Sequence, residues 1–320
     1  MAKAVSTSSA YGRAGVAAFT ASKALPAPDP RLFSTPQARE IKREICAVGR
    51  KLWLRQFVDG NGGNISCRIG PNEVICTPTM LSKFDLRPRD LCMVDLEGRQ
   101  IAGTKPATSE ILLHLEIYKK VPQAKAAVHC HPPHATGYAV AGLVPPNMMI
   151  PEFEIFVGKV AIAPYETPGT QAFAETVLPF VEHHNTILLR NHGVVSWAET
   201  VTLAEWNCEV LETYCNIVGA ARQLGVPLSI ISDEKGRDLL ARKKRMGLPD
   251  IRFASPAARR SEARQAEKNR AAAPAGAFDA AQVEAIVRRV TRQVLAELQG
   301  SQAGAPANRP RTARRRPATD

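Results

Sequence analysis

The residues best placed to do chemistry are histidines at the ends of two apolar runs. The first run, Ala126-Ala127-Val128-His129-Cys130-His131, reads as a buried strand. Successive strand side chains leave opposite faces, so His129 and His131 share a face and can reach one ion. The second run, Thr186-Ile187-Leu188-Leu189-Arg190-Asn191, ends at His192-Gly193. Three imidazoles from two strand ends make a three-nitrogen site for Zn²⁺, with the fourth position open to a substrate. A lone HxH pair carries little weight beside ordinary packing; His192 is what makes the metal reading worth holding. His134 is expected behind the ligands, orienting one of them. His183 and His184 are expected to close a helix in solvent, and His114 to be packed inside one.

Two further segments could hold an anion. Lys105-Pro106-Ala107-Thr108-Ser109-Glu110 places hydroxyls at a helix start, where free N–H groups can seat a phosphate. The same hydroxyls could simply cap the helix, and Glu110 could simply complement its dipole. Gly60-Asn61-Gly62-Gly63-Asn64-Ile65-Ser66 lets backbone approach an anion closely, or is only a loop.

These groups need a scaffold, and the pattern alternates helix with strand. A helix is expected over 36–58, with Ile41, Ile45, Val48 and Leu52 on one face. Strands follow at 65–68, 74–76 and 91–95, then a helix from Thr108 or Ser109 to Lys120. Strands at 126–131 and 186–190 precede a long helix over 197–224. Such interleaving predicts a single α/β domain of three αβα layers over residues 36–253.

Charge and composition separate this body from its ends. The 320 residues carry 42 Lys and Arg against 30 Asp and Glu, a net +12, and are 45% hydrophobic. Residues 1–35 hold four basic residues and one acid, and residues 254–320 hold 13 against six, which leaves 25 against 23 in the body. The basic excess therefore belongs to the ends, and no aromatic or recognition motif accompanies the arginines, so no nucleic-acid partner is expected. No apolar stretch reaches 18 residues, so no membrane partner is expected either. The seven cysteines are scattered without a CxxC pair and read as reduced thiols of a cytoplasmic protein. Residues 1–35 are expected to be a flexible extension, 254–277 a linker and 300–320 a basic disordered tail. Within the tail region, apolar residues at 283, 286, 287, 290, 294, 295 and 298 predict an amphipathic helix over 278–299.

Taken in order, several motifs resemble one family. They are Gly-Gly-Asn-Ile-Ser at 62–66, Cys76-Thr77-Pro78-Thr79, Thr108-Ser109-Glu110 and Val-His-Cys-His-Pro-Pro-His at 128–134. Ala163-Pro164-Tyr165 with Gly169-Thr170, and Leu-Leu-Arg-Asn-His-Gly at 188–193, complete the series. The series resembles the class II aldolase/adducin superfamily over roughly residues 36–253, most nearly its aldolases of L-fuculose 1-phosphate. The resemblance implies one Zn²⁺ per subunit on His129, His131 and His192, and Glu110 as the group that moves a proton beside the carbonyl. It implies Asn64, Thr79, Thr108 and Ser109 around the substrate phosphate, and a homotetramer that shares sites between neighbours. The implied reaction cleaves a deoxy-ketose 1-phosphate, of fuculose or rhamnulose, to dihydroxyacetone phosphate and lactaldehyde.

The chain departs from that pattern in three places. A family tyrosine is missing from Met149-Ile150-Pro151-Glu152-Phe153-Glu154, and a second falls near Met246; Glu152 or Glu154 could serve the aldehyde side instead, or either could equally be a surface charge. Met80 replaces a glycine beside the phosphate threonine. Sugar-phosphate epimerases and a methylthioribulose-phosphate dehydratase use the same scaffold, and a non-catalytic adducin-like module is a further alternative. The helix at 278–299 resembles the encapsulation peptides of bacterial microcompartment enzymes, which implies a shell-protein partner and a place in the microcompartment lumen.

Overall fold

The start of the first helix shows how local chemistry sets the frame. In the computed structural model, which describes residues 25–271 together with 288, 289, 291 and 292, the Thr35 hydroxyl accepts from the Ala38 N–H. Pro36 occupies the first turn, where a missing N–H is no loss. Helix α1 (Pro36–Leu54) then buries Ala38, Ile45, Val48 and Leu52. It stops short of the expected 58 because Gln56 turns left-handed, at φ 60°.

Eight described strands form one sheet: β1 (Asn64–Arg68), β2 (Val74–Cys76), β3 (Cys92–Val94), β4 (Gln100–Ala102), β5 (Ala126–Cys130), β6 (Ala161–Ala163), β7 (Thr186–Leu189) and β8 (Gly193–Ala198). Their order is β4-β3-β2-β1-β5-β8-β7-β6, antiparallel except for the β6–β7 pair. The helices after α1 are α2 (Ile111–Lys120), α3 (Pro133–Ala141), α4 (Pro151–Phe156), α5 (Gln171–Glu175), α6 (Val201–Gln223), α7 (Asp233–Arg245) and α8 (Pro256–Ala271).

Central strand β5 is buried on both faces, which explains its unbroken apolar run. Ala126, Val128 and Cys130 join Ile45 and Leu52 of α1 and Leu211 of α6 in one core. Ala127 joins Leu113 and Leu115 of α2 and Phe173 of α5 in the other. Helices therefore cover both faces of a mixed sheet, in the three layers expected.

Several boundaries differ from the sequence reading. The helix expected from Trp197 begins at Val201, because Trp197 pairs with Ala127 across β5 and β8, and Thr200 caps α6 through the Leu203 N–H. The stretch read as a linker from 254 is helical over Pro256–Ala271. Its Ala, Arg and Glu are strong helix formers, Ser255 accepts from the Ala258 N–H, and Asn269 bonds Ile162 O of edge strand β6. Residues 25–35, read as part of a flexible extension, are tied down. The Asp29 N–H donates to Glu73, and Pro26 O accepts from Asn72. Residues 1–24 and 272–277 of those two readings lie outside the described residues. So does the helix expected at 278–299, apart from residues 288, 289, 291 and 292, which are helical, and so does the tail at 300–320. No described helix is long and apolar enough to cross a membrane.

Candidate functional site

His129, His131 and His192 converge, with one ring nitrogen of each within 4.8 Å of the others. Register explains the first two. His129 sits on β5 opposite Asn64 of β1 and Val195 of β8, and His131 follows just past the strand end. The His131 N–H is fixed by Phe57 O at 2.7 Å, where the chain leaves α1. His192 occupies the β7–β8 turn, aimed by Asn191 in a left-handed conformation at φ 54°, which Asn adopts more readily than most residues. Gly193 is required there, since a Cβ would lie 2.6 Å from both Cys130 O and the His131 ring. Gly63, at φ 70°, likewise lets the glycine-rich turn lie against His129 O.

The three rings could hold a metal ion as neutral ligands. Burial is the leading cause that lowers each pKa: His131 falls to about 4, His129 falls well below its ordinary value, and His192 falls despite the opposing charge of Glu110. Nδ1–H of His129 donates to Val194 O at 2.9 Å, which fixes the tautomer and leaves Nε2 as a lone pair facing inward. That Nε2 lies 3.0 Å from His131 Nε2. Two nitrogens on one tetrahedral ion are about 3.3 Å apart, so this pair fits a divalent cation with small adjustment.

Glu110 closes the cluster. Its carboxylate lies 3.3 Å from His129 Nε2 and 3.5 Å from His192 Nε2, and it accepts from Asn64 Nδ2 at 2.7 Å. Glu110 stands at the cap position of α2 but makes no capping bond with its side chain. The helix begins at Ile111, two or three residues later than expected. Among the described residues, Asn64 Oδ1 and His192 Nδ1 are buried with no partner.

The other residues expected around a phosphate are gathered nearby by backbone pairing. Pro78 and Ala107 form an isolated bridge; Thr79 N–H bonds Pro106 O and Thr108 N–H bonds Thr77 O. Thr79 and Thr108 therefore come from two segments clipped together at the start of α2. Ser109 follows, its carbonyl close beneath Gly169, where a Cβ would stand 3.2 Å away. Met80, in the place of a glycine, keeps a left-handed φ of 54° and is 78% exposed.

Three expectations fail, those for Glu154, His134 and His184. Glu154 is fully buried, accepting from Met148 N–H, Asn147 Nδ2 and the Arg252 guanidinium, so it is committed to an ion network and not to a substrate. Glu152 is exposed on α4, and no described bond ties it to the histidines. His134 turns to Glu212 of α6, 2.7 Å away, because that carboxylate also accepts the first N–H groups of α3. His184 is buried, not solvated: Nδ1–H donates to Lys159 O, and Nε2 lies 2.9 Å from Glu262 of α8. His114 is packed as expected, bonded to Ser66 Oγ. The residue that sequence reasoning missed is Lys83, buried beside the glycine-rich turn; its signal was a single cation in the short run Leu81-Ser82-Lys83-Phe84.

Comparison with known proteins agrees with this geometry. Residues 43–218 match the class II aldolase and adducin N-terminal domain, and the chain belongs to that family. It is 32% identical over 207 residues to a 3-oxo-tetronate 4-phosphate decarboxylase of Haemophilus influenzae, covering 63% of this chain and 97% of that one. It is 38% identical over 169 residues to an L-fuculose phosphate aldolase of Methanococcus maripaludis, covering 53% and 91%. Among solved structures it resembles an L-fuculose 1-phosphate aldolase, with a TM-score of 0.58 at 25% identity over 64% of this chain and 96% of that one. Members of this family are typically metal-dependent lyases, and the three-histidine cluster fits that class.

Proposed function

We propose that the chain is a zinc-dependent aldolase that cleaves L-fuculose 1-phosphate or L-rhamnulose 1-phosphate to dihydroxyacetone phosphate and lactaldehyde. One observation carries the reading: a carboxylate, Glu110, is held by Asn64 against two of three converging neutral imidazoles. Asn64, Thr79, Thr108 and Ser109 would bind the phosphate and fix the ketose in register. Zinc on His129, His131 and His192 would supply positive charge for the enediolate oxygen. As the C3–C4 bond breaks, its electron pair passes toward the C2 carbonyl and the C4 hydroxyl passes its proton to the Glu110 carboxylate. Glu110 then delivers a proton to C3, which completes dihydroxyacetone phosphate. Glu152 remains the candidate for the aldehyde side.

A second reading shares most of these steps. A 3-oxo acid carrying a 4-phosphate, the substrate in the name of the Haemophilus relative, loses CO₂ to give the same enediolate, which Glu110 would reprotonate. Decarboxylation needs no group for an aldehyde hydroxyl. The commitment of Glu154 to Arg252 favours it for that reason. Assay of zinc-loaded protein on a panel of ketose 1-phosphates and on the 3-oxo acid phosphate separates the two by product, lactaldehyde or CO₂. Neither product from any member of the panel defeats both.

The homotetramer and the microcompartment location belong to the same proposal. Residues 278–299 would act as an encapsulation helix, supported by their apolar spacing in the sequence. Fusing 278–299 to a reporter in cells that build shells should give signal that co-localises with shell protein; diffuse signal would refute it.

A further inference from the structure

Lys83 is a buried cation without a carboxylate. Its side chain is 1% exposed, and Nζ donates to Asn61 O at 2.9 Å and Leu81 O at 3.0 Å. Among the described residues no acid is ion-paired with it, and Glu110 acts on it only through space. Burial lowers its pKa to about 8, so it is largely an ammonium at pH 7. The other buried lysines are compensated within the fold. Lys243 lies 3.1 Å from Asp250, and Lys42 stands 3.0 Å over the Phe33 ring while donating to Phe33 O. Buried charges are paired because desolvation penalises them heavily, so an ammonium with two carbonyls and a spare N–H is half of an anion site.

Its position says which anion. Asn61 lies three residues before Asn64, and Leu81 two residues after Thr79. Nζ therefore bridges the two segments that carry the candidate phosphate ligands on this side of the cluster. Its charge also reaches Glu110 and His131.

We propose that Lys83 provides the counter-charge for the phosphate of the substrate and determines the preference of this site for phosphorylated ligands. The inference rests on the sugar-phosphate reading for the identity of the anion, but not on which bond is cleaved. Lys83→Met keeps the length and removes the charge; Lys83→Arg keeps the charge; Lys83→Gln is the polar alternative if the Met variant fails to fold. In the zinc-loaded full chain, Lys83→Met should weaken binding of inorganic phosphate and of dihydroxyacetone phosphate by about ten-fold or more, with Lys83→Arg restoring most of it. Inhibition by unphosphorylated dihydroxyacetone and zinc content should stay as in the parent, and in turnover KM should rise far more than kcat falls. Unchanged phosphate affinity in Lys83→Met would overturn the proposal. So would an equal loss for dihydroxyacetone, which marks a purely structural clamp. If no ketose phosphate is turned over but phosphate binding still depends on Lys83, the reaction assignment fails and this inference stands.

Discussion

Glu110 and Glu154 are both shielded carboxylates, yet their surroundings are opposite. Glu154 sits in a closed ion network: Arg252 binds it at 2.8 Å and Asp250 at 2.7 Å, and Lys243 binds Asp250 at 3.1 Å. Burial pushes the Asp250 carboxyl up, but the Arg252 hydrogen bond and the neighbouring cations overcome it and hold the pKa at about 2. Glu110 meets an amide and two neutral imidazoles, with Asn64 Oδ1 and His192 Nδ1 nearby left unpartnered among the described residues. The first arrangement is closed by its own charges, and the second leaves polar atoms open beside the carboxylate.

Substitution can break that contrast. His131→Ala should have the largest effect on function, abolishing stoichiometric zinc and turnover while leaving the metal-free protein folded; metal analysis and circular dichroism check both. Glu110→Gln should retain zinc and lose about two or more orders of magnitude in turnover. Arg252→Met should do the reverse. It strands Glu154 without its cation and should cost about 3 kcal/mol of stability, read by denaturant melts, with turnover per folded molecule unchanged. Equal effects of the Glu110 and Arg252 substitutions on activity would erase the distinction.

Acid sharpens it further. Because the fold lowers the His131 pKa to about 4, from an ordinary 6.5, the unfolded chain takes up a proton that the native site refuses. This contribution to stability is present above about pH 6.5 and is lost as pH falls toward 4. Melting of the metal-free protein between pH 7 and 4.5 should show the loss, and His131→Ala should reduce it. The smallest expected effect is at Met80, whose left-handed φ favours glycine. Met80→Gly should gain about 1 kcal/mol in melts.

The sequence made the centre of the molecule legible and its margins less so. His129, His131 and the β5 run could be read because strand alternation alone puts both rings on one face. The clustering with His192 and Glu110 depended on pairings among β5, β7 and β8 and on the placement of α2, which spacing does not encode. Strands β4 and β6 span three residues each, too few to show a period. Helix α8 was mistaken for a linker because its Ala and Arg composition lacks large apolar residues; helix propensity and contacts from Asn269 and Glu262 hold it instead. The burial of Glu154 was not legible because the cation that binds it, Arg252, lies 98 residues away.

The central claim is that Glu110 moves a proton at the carbon beside the carbonyl, a step common to aldol cleavage and decarboxylation. Incubating the zinc-loaded protein with dihydroxyacetone phosphate in D₂O and following deuterium at the hydroxymethyl carbon by NMR tests it directly. The parent should exchange that hydrogen, and Glu110→Gln with full zinc should exchange it about a hundred-fold more slowly or less. Equal exchange in the two proteins, or none in the zinc-loaded parent, would contradict the account.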